Sequence, residues 1–339
     1  MKRRIDGLPE CLILECLARL HLKDLPAASR VCRRWLHLIK SRHFYSLRKQ
    51  LGCTNQVACL LQHMPPTNSL NIKYVINMFD PMDREWNRLP PIPDLTKEHT
   101  WQTWIASSEG KLVVFCGSDT LPMESVIVFV LDFATQRWRK GKDMPLVSSS
   151  RFSTVSSPQC QRIFISGDHR QKVDAPWDYV WEYDVLKEEW TVLYQIRSFK
   201  IRGLRIIGEE LWVIIGHKHI GKWTMPEGHG AVVYHLRTNK WREVTLTLGR
   251  VNNLLSSRHN SDLKLYKLMK KLYRNEFDVM KNCCSRLQLG KQSLLMTTCG
   301  NNGGKELFCM QDQEGKFDKM EPPSIEFSGY VESSYCIEL

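Results

Sequence analysis

The stretch "FDPMDREW" at 79–86 returns three times along the chain, and that return restricts the fold more than any other property. "LDFATQRW" (131–138), "YDVLKEEW" (183–190) and "YHLRTNKW" (234–241) align with it without gaps, and the tryptophans stand 52, 52 and 51 residues apart. "MQDQEGKF" (310–317) is a degenerate fifth copy, with Phe317 in the tryptophan position 76 residues after Trp241. Upstream of the later copies an apolar run ends in glycine: "KLVVFCG" at Gly117, "RIFISG" at Gly167, "ELWVIIG" at Gly216 and "SLLMTTCG" at Gly300. Self-similarity at such a period marks one supersecondary unit stacked on copies of itself.

Each unit reads as strand, glycine turn, strand, polar turn and a strand carrying Trp, preceded by a first strand such as "FSTVSS" at 152–157. Apolar runs of five to seven residues suit strands buried on both faces. Glycine enters turn conformations that other residues resist, so Gly117, Gly167, Gly216 and Gly300 are assigned to turns. Trp86, Trp138, Trp190 and Trp241 are expected to be buried as wedges between adjacent sheets. One such sheet cannot cover its own faces, so the copies must stack radially into an all-β propeller.

The set resembles kelch repeats over roughly residues 57–337. It departs from them where the family has Gly-Gly, reading Gly117-Ser118, Gly167-Asp168, Gly216-His217 and Gly300-Asn301. Five units are counted, so five blades are favoured and six is the alternative. The first unit lacks its innermost strand, and "YVESSYCIEL" (330–339) is the segment that could return to supply it and close the ring. A sixth blade would have to lie in 250–285. That segment is Lys-rich, with Leu265, Leu268 and Leu272 at helical steps among Lys264, Lys267, Lys270 and Lys271. It is read as an insertion: a solvated loop helix, or a basic arm that attracts an acidic target.

The N-terminal part follows a different period. Leu8, Leu12, Cys16 and Leu20 recur at four-residue steps with Ile13 and Leu17 beside them, as on an amphipathic helix. Pro9 suits a first helical turn, and Asp24 followed by Pro26 suits the start of a second helix. A unit this small has little core of its own and more apolar surface than it can hide. Leu8-Pro9-Glu10, Lys23-Asp24-Leu25 and Val31-Cys32-Arg33-Arg34-Trp35 resemble an F-box over about residues 5–45. The whole order, with "HFYSLRKQLGC" as connector, is similar to the F-box/kelch proteins that are abundant in plants. The reading divides the chain into a helical F-box (1–45), a connector (46–56) and a propeller (57–339) with its insertion at about 250–285.

Composition excludes several classes. The chain has 339 residues, 42% hydrophobic and 25% charged, as a globular protein does. No run of 18 apolar residues is present, so no membrane-spanning helix or membrane partner is expected. Met1-Lys2-Arg3-Arg4 resembles the front of a signal peptide, but Glu10, Glu15 and Arg19 interrupt the apolar stretch behind it. The net charge of +12 is concentrated: residues 1–50 hold twelve Lys/Arg against four Asp/Glu, and 250–291 hold ten against three. The body is therefore not basic, and with no recognition signature no nucleic-acid partner is expected. The twelve cysteines form no Cys-x-x-Cys pair and are read as buried thiols in a reducing compartment.

Catalytic readings find little support. His217, His219, His229 and His235 are ligand types for copper or zinc, but His217 and His219 flank a turn and His235 occupies the repeat's Asp position, so no metal or other cofactor is expected. "GNNGGK" (300–305) lacks the spacing of a phosphate loop and reads as a turn. Trp101, Trp104 and Trp177 lie off the repeat position and are candidates for a target-binding face.

The resemblance implies the rest. Leu8, Pro9, Leu12, Ile13, Val31 and Trp35 would form or support the face that binds a Skp-type adaptor, and through it a cullin-RING ubiquitin ligase. The propeller would bind a protein substrate, and the chain itself would not be an enzyme. The location implied is cytoplasmic, nuclear or both. A kelch-type scaffold without a ligase role is the alternative.

Overall fold

The computed structural model describes residues 9–64, 73–93, 102–117, 125–145, 152–157, 162–168, 177–197, 200–219, 222–224, 230–246, 268, 271–272, 282–299, 307–327 and 329–339.

Four helices come first: α1 (Glu10–Ala18), α2 (Leu25–Ala28), α3 (Arg33–Lys40) and α4 (Arg42–Gln50). Pro9 precedes α1, where an absent N–H costs nothing. Ser41 caps α4, its hydroxyl accepting from the Phe44 amide at 3.1 Å. The core of this bundle is Ile13, Leu14, Leu17, Ala18, Leu25, Ala28, Ile39 and Phe44. Leu12 and Cys16 of the expected stripe face outward instead. The expected end of the helical unit near residue 45 falls inside α4, whose Phe44 and Leu47 complete the bundle.

Blade 1 contains β1 (Gln56–Met64), β2 (Lys73–Asp80) and β3 (Glu85–Arg88). Blade 2 is β4 (Gln102–Ser108), β5 (Lys111–Gly117), β6 (Ser125–Asp132) and β7 (Arg137–Lys140), with the short β8 (Met144–Pro145) on β6. Blade 3 is β9 (Phe152–Ser156), β10 (Arg162–Asp168), β11 (Trp177–Asp184) and β12 (Glu189–Arg197). Blade 4 is β13 (Lys200–Ile207), β14 (Glu210–His219), β16 (Ala231–His235) and β17 (Lys240–Val244), with β15 (Lys222–Thr224) paired to β14. Blade 5 is β18 (Asn282–Leu289), β19 (Gln292–Cys299), β20 (Phe308–Gln311) and β21 (Phe317–Met320). The last strand, β22 (Tyr330–Glu338), pairs antiparallel with β1, so the first blade is completed by the C-terminal segment. The described residues thus form five antiparallel sheets of four or five strands, a five-bladed propeller.

The repeat is legible in the register. Phe79 pairs with Trp86, Leu131 with Trp138, Tyr183 with Trp190, Tyr234 with Trp241 and Gln311 with Phe317. Each of the four Trp rings reaches the blade before it in the ring. Trp138 donates its Nε1–H to the Pro90 carbonyl at 2.9 Å, and Trp190 donates to Lys142 at 2.8 Å. Trp241 lies 4.7 Å from Tyr194 of blade 3, and Trp86 lies 5.1 Å from Phe308 of blade 5. They are half-buried rather than fully buried, because they sit on outer strands and one ring edge meets solvent.

The glycines do not play the expected part. Gly117 ends β5, while Gly167 and Gly216 lie within β10 and β14, paired to Tyr179 and Lys200. Among the described residues, glycines with positive φ are Gly52, Gly110, Gly208, Gly290 and Gly315. Gly300 lies outside the described residues. The turn chemistry resides in the polar loops before each Trp. Asp80, Asp132 and Asp184 accept backbone N–H bonds from Met82, Thr135 and Leu186. His235 Nδ1 does the same for Arg237 and Thr238, at 3.3 and 3.4 Å. Two residues before each aromatic wedge the chain turns left-handed, at Arg84, Gln136, Glu188, Asn239 and Gly315.

Leu268 and Leu272 of the insertion have helical backbone and, with Phe317, pack on Leu295, Leu307 and Cys309 of blade 5. Those two residues are therefore not a solvated face. Lys264, Leu265, Lys267 and Lys270 lie outside the described residues.

Candidate functional site

The helical bundle presents apolar side chains that none of the described residues covers. Leu12 on α1 is 44% exposed and Val31, before α3, is 61% exposed. Cys11, Cys16 and Cys32 are exposed as well, so the expectation of uniformly buried thiols fails here. Of the residues expected on a docking face, Pro9 is also exposed. Ile13 is buried in the bundle core and Trp35 is half-buried against it, so these two support the face without forming it. Leu8 lies outside the described residues.

The bundle is fastened to one end of the propeller. Arg48 is 4% exposed and donates to the carbonyls of Ala18 (2.9 Å), Leu20 (2.7 Å) and Cys53 (2.7 Å), joining α4 to the end of α1 and to the chain entering blade 1. Burial lowers its pKa. A guanidinium spreads its donors over a planar fork, which suits three acceptors. Glu338 near the end of β22 accepts from Lys49 (2.7 Å) and Thr54 (3.1 Å), and its carbonyl accepts from the Tyr45 hydroxyl. Asn55 and Leu339 exchange backbone hydrogen bonds at 2.8 and 2.9 Å. Arg42 pairs with Glu109 at 3.1 Å in the β4–β5 turn, where Gly110 (φ +70°) lies under the Tyr45 ring. Arg48 and Glu338 were not singled out from sequence. The available signal was weak: an Arg among the apolar positions of a short helix, and a Glu beside the final residue.

These contacts occupy the end of the ring bearing the β4–β5 and β6–β7 turns. The strand ends at Met64, Gly117, Asp168 and His219 point to the opposite end. Trp104 packs against the blade 2 and blade 3 core and is half-buried. Trp177 begins β11, paired to Arg197, and Trp101 lies outside the described residues.

Chemistry within the ring is sparse. Burial pushes the Cys116 thiol up to about 12 and the Cys309 and Cys336 thiols up to about 11, away from the thiolate a nucleophile needs. The Glu332 carboxyl on β22 is pushed up to about 7 by burial, opposed by hydrogen bonds from Tyr74 and the Thr103 backbone. Desolvation lowers the pKa of His63, which stacks on Tyr74 at 5.5 Å. Tyr335 of β22 meets Ser156 of β9 through its hydroxyl at 2.8 Å, linking the inner strands of blades 1 and 3. Among the described residues no three His, Cys, Asp or Glu converge as a metal site. Of the four clustered histidines, His235 is used by its turn and His229 lies outside the described residues. None of the described helices is long and apolar enough to cross a membrane.

The F-box domain family model matches residues 5–47. One F-box/kelch-repeat protein of Arabidopsis thaliana is 30% identical over 195 residues, covering 56% of this chain and 54% of the relative. A second is 30% identical over 199 residues, covering 56% and 55%. The chain thus spans about half the length of the curated relatives it matches. Among solved structures, the β-propeller domain of the trilobed protease from Pyrococcus furiosus covers 78% of this chain and 67% of its own, at 12% identity and a TM-score of 0.36. With a helical module that matches the F-box domain joined to a ring of Trp-marked blades, the chain resembles the F-box/kelch-repeat proteins of Arabidopsis thaliana.

Proposed function

We propose that this chain is the substrate-recognition subunit of an SCF-type ubiquitin ligase. The F-box docks on a Skp-type adaptor through the surface around Leu12 and Val31, with Pro9 at its edge. The adaptor joins it to a cullin-RING ligase, and the propeller end opposite the F-box holds a protein substrate for ubiquitination and degradation. The chain contributes binding and orientation and no covalent chemistry, and it acts in the cytoplasm, the nucleus or both. One observation supports this reading above the others: an apolar face left open on a module that is itself locked to the propeller through Arg48 and Glu338. A rigid joint fixes where a substrate sits relative to the ligase, which is how positioning contributes to rate.

The test is isolation of the full chain from cells with the proteasome blocked. The reading requires a cullin to co-isolate, together with ubiquitinated proteins that are lost when residues 1–50 are removed. Capture of the same unmodified proteins with or without residues 1–50, and no cullin in either case, would replace it with the scaffold reading.

A further inference from the structure

Where the F-box meets blade 2, a groove of about 360 Å³ is lined by Ser29, Arg30, Cys32, Arg33, Leu36 and Arg137. Arg30 comes from the segment between α2 and α3, Arg33 from the first residue of α3 and Arg137 from the start of β7, so the groove exists only because the two modules are held together. All three arginines are exposed, and none has a carboxylate partner among the described residues. Their neighbours behave differently. Arg34 pairs with Glu10, Arg42 with Glu109, and Arg139 with Glu188. Like charges lining one concavity repel each other and focus a positive potential into it. That cost is relieved when an anion enters, and guanidinium groups receive carboxylates through paired N–H donors.

We propose that this groove binds an acidic peptide segment of a partner protein, its Asp or Glu side chains bridging Arg30 and Arg33 of the F-box to Arg137 of the propeller. The lining favours a peptide over a nucleic acid, since no aromatic ring lies in the groove on which bases could stack. Half-buried Leu36 supplies an apolar floor for the methylenes of such side chains. The proposal does not depend on the ligase reading, because it concerns a surface that includes the propeller and is probed without an adaptor.

The probe is a fluorescein-labelled deca-glutamate peptide, titrated with the full chain and followed by anisotropy at low and at physiological salt. R30E/R33E/R137E is expected to weaken binding by about tenfold or more, and R137E alone by about threefold. K240E/K271E/K291E, which changes net charge equally at exposed sites elsewhere, is expected to leave affinity within about twofold. Should the Glu variant fail to fold by circular dichroism, R30Q/R33Q/R137Q takes its place with the same expected direction. Equal weakening by the control variant, or unchanged affinity in the groove variants, overturns the proposal. So does displacement of the peptide by a single-stranded RNA oligonucleotide that binds more tightly through the same arginines.

Discussion

At the scale of residues, two side chains carry consequences out of proportion to their number. Arg48 is a buried cation whose hydrogen-bond acceptors are backbone carbonyls. Removing it leaves three oxygens without donors, and hydrogen bonds to a charged group are worth about 1.5–3 kcal/mol each before the desolvation of the charge is recovered. Arg48→Met should therefore destabilise by about 2–4 kcal/mol. Amide hydrogen exchange should show faster opening of Glu10–Ala18 than of the blades; uniform protection would refute this role. Glu332 acts through pH. Its folded pKa of about 7 lies above the ordinary carboxylate value, so the fold holds a proton that the unfolded chain releases. Stability from this group is present below about pH 4 and is lost as pH rises towards 7. Glu332→Gln should thus raise the melting temperature relative to wild type at pH 8 and leave the difference near zero at pH 4. A constant difference across that range would place the carboxyl in solvent.

At the scale of elements, the polar loop and the wedge define the blade. Residues in left-handed turns cost roughly 1–2 kcal/mol when they carry a Cβ, and four blades accept that cost at Arg84, Gln136, Glu188 and Asn239. Blade 5 uses Gly315 there, at φ +86°. Gly315→Val should lower stability by about 1–2 kcal/mol in urea unfolding, while Gly167→Ala at a paired strand position is free of that cause. Trp138→Ala, removing a half-buried wedge, should cost about 3 kcal/mol. Trp138→Phe, which loses mainly the bond to Pro90, should cost about 1 kcal/mol. Equal effects of the two would show that the ring contributes no packing. The spacing of the tryptophans made the wedges legible in the sequence, since a large aromatic at a fixed period has one structural use. The glycines misled because a strand-end Gly and a turn Gly look alike without register. The F-box stripe misled similarly: Leu12 and Ile13 are adjacent apolar residues, and only the packing of α4 decides which of them is covered.

At the scale of the whole molecule, the C-terminal strand performs two tasks. β22 closes the ring against β1, and Glu338 and Leu339 at its end hold the F-box through Lys49, Thr54 and Asn55. Closure was legible because blade 1 lacked a strand and the C-terminal segment had the pattern of one. The F-box attachment was not, because it depends on which end of the ring the last residue reaches. The insertion is intermediate: its helical period was readable, but the packing of Leu268 and Leu272 on blade 5 needed the fold. The most direct measurement is titration of the purified full chain with a purified Skp-type adaptor by calorimetry. Saturable binding by the wild type is expected, lost in Leu12→Asp/Val31→Asp, whose melting temperature stays within about two degrees of wild type because both positions are exposed. Absence of binding by the wild type, or binding by the double variant at the same affinity, would contradict it.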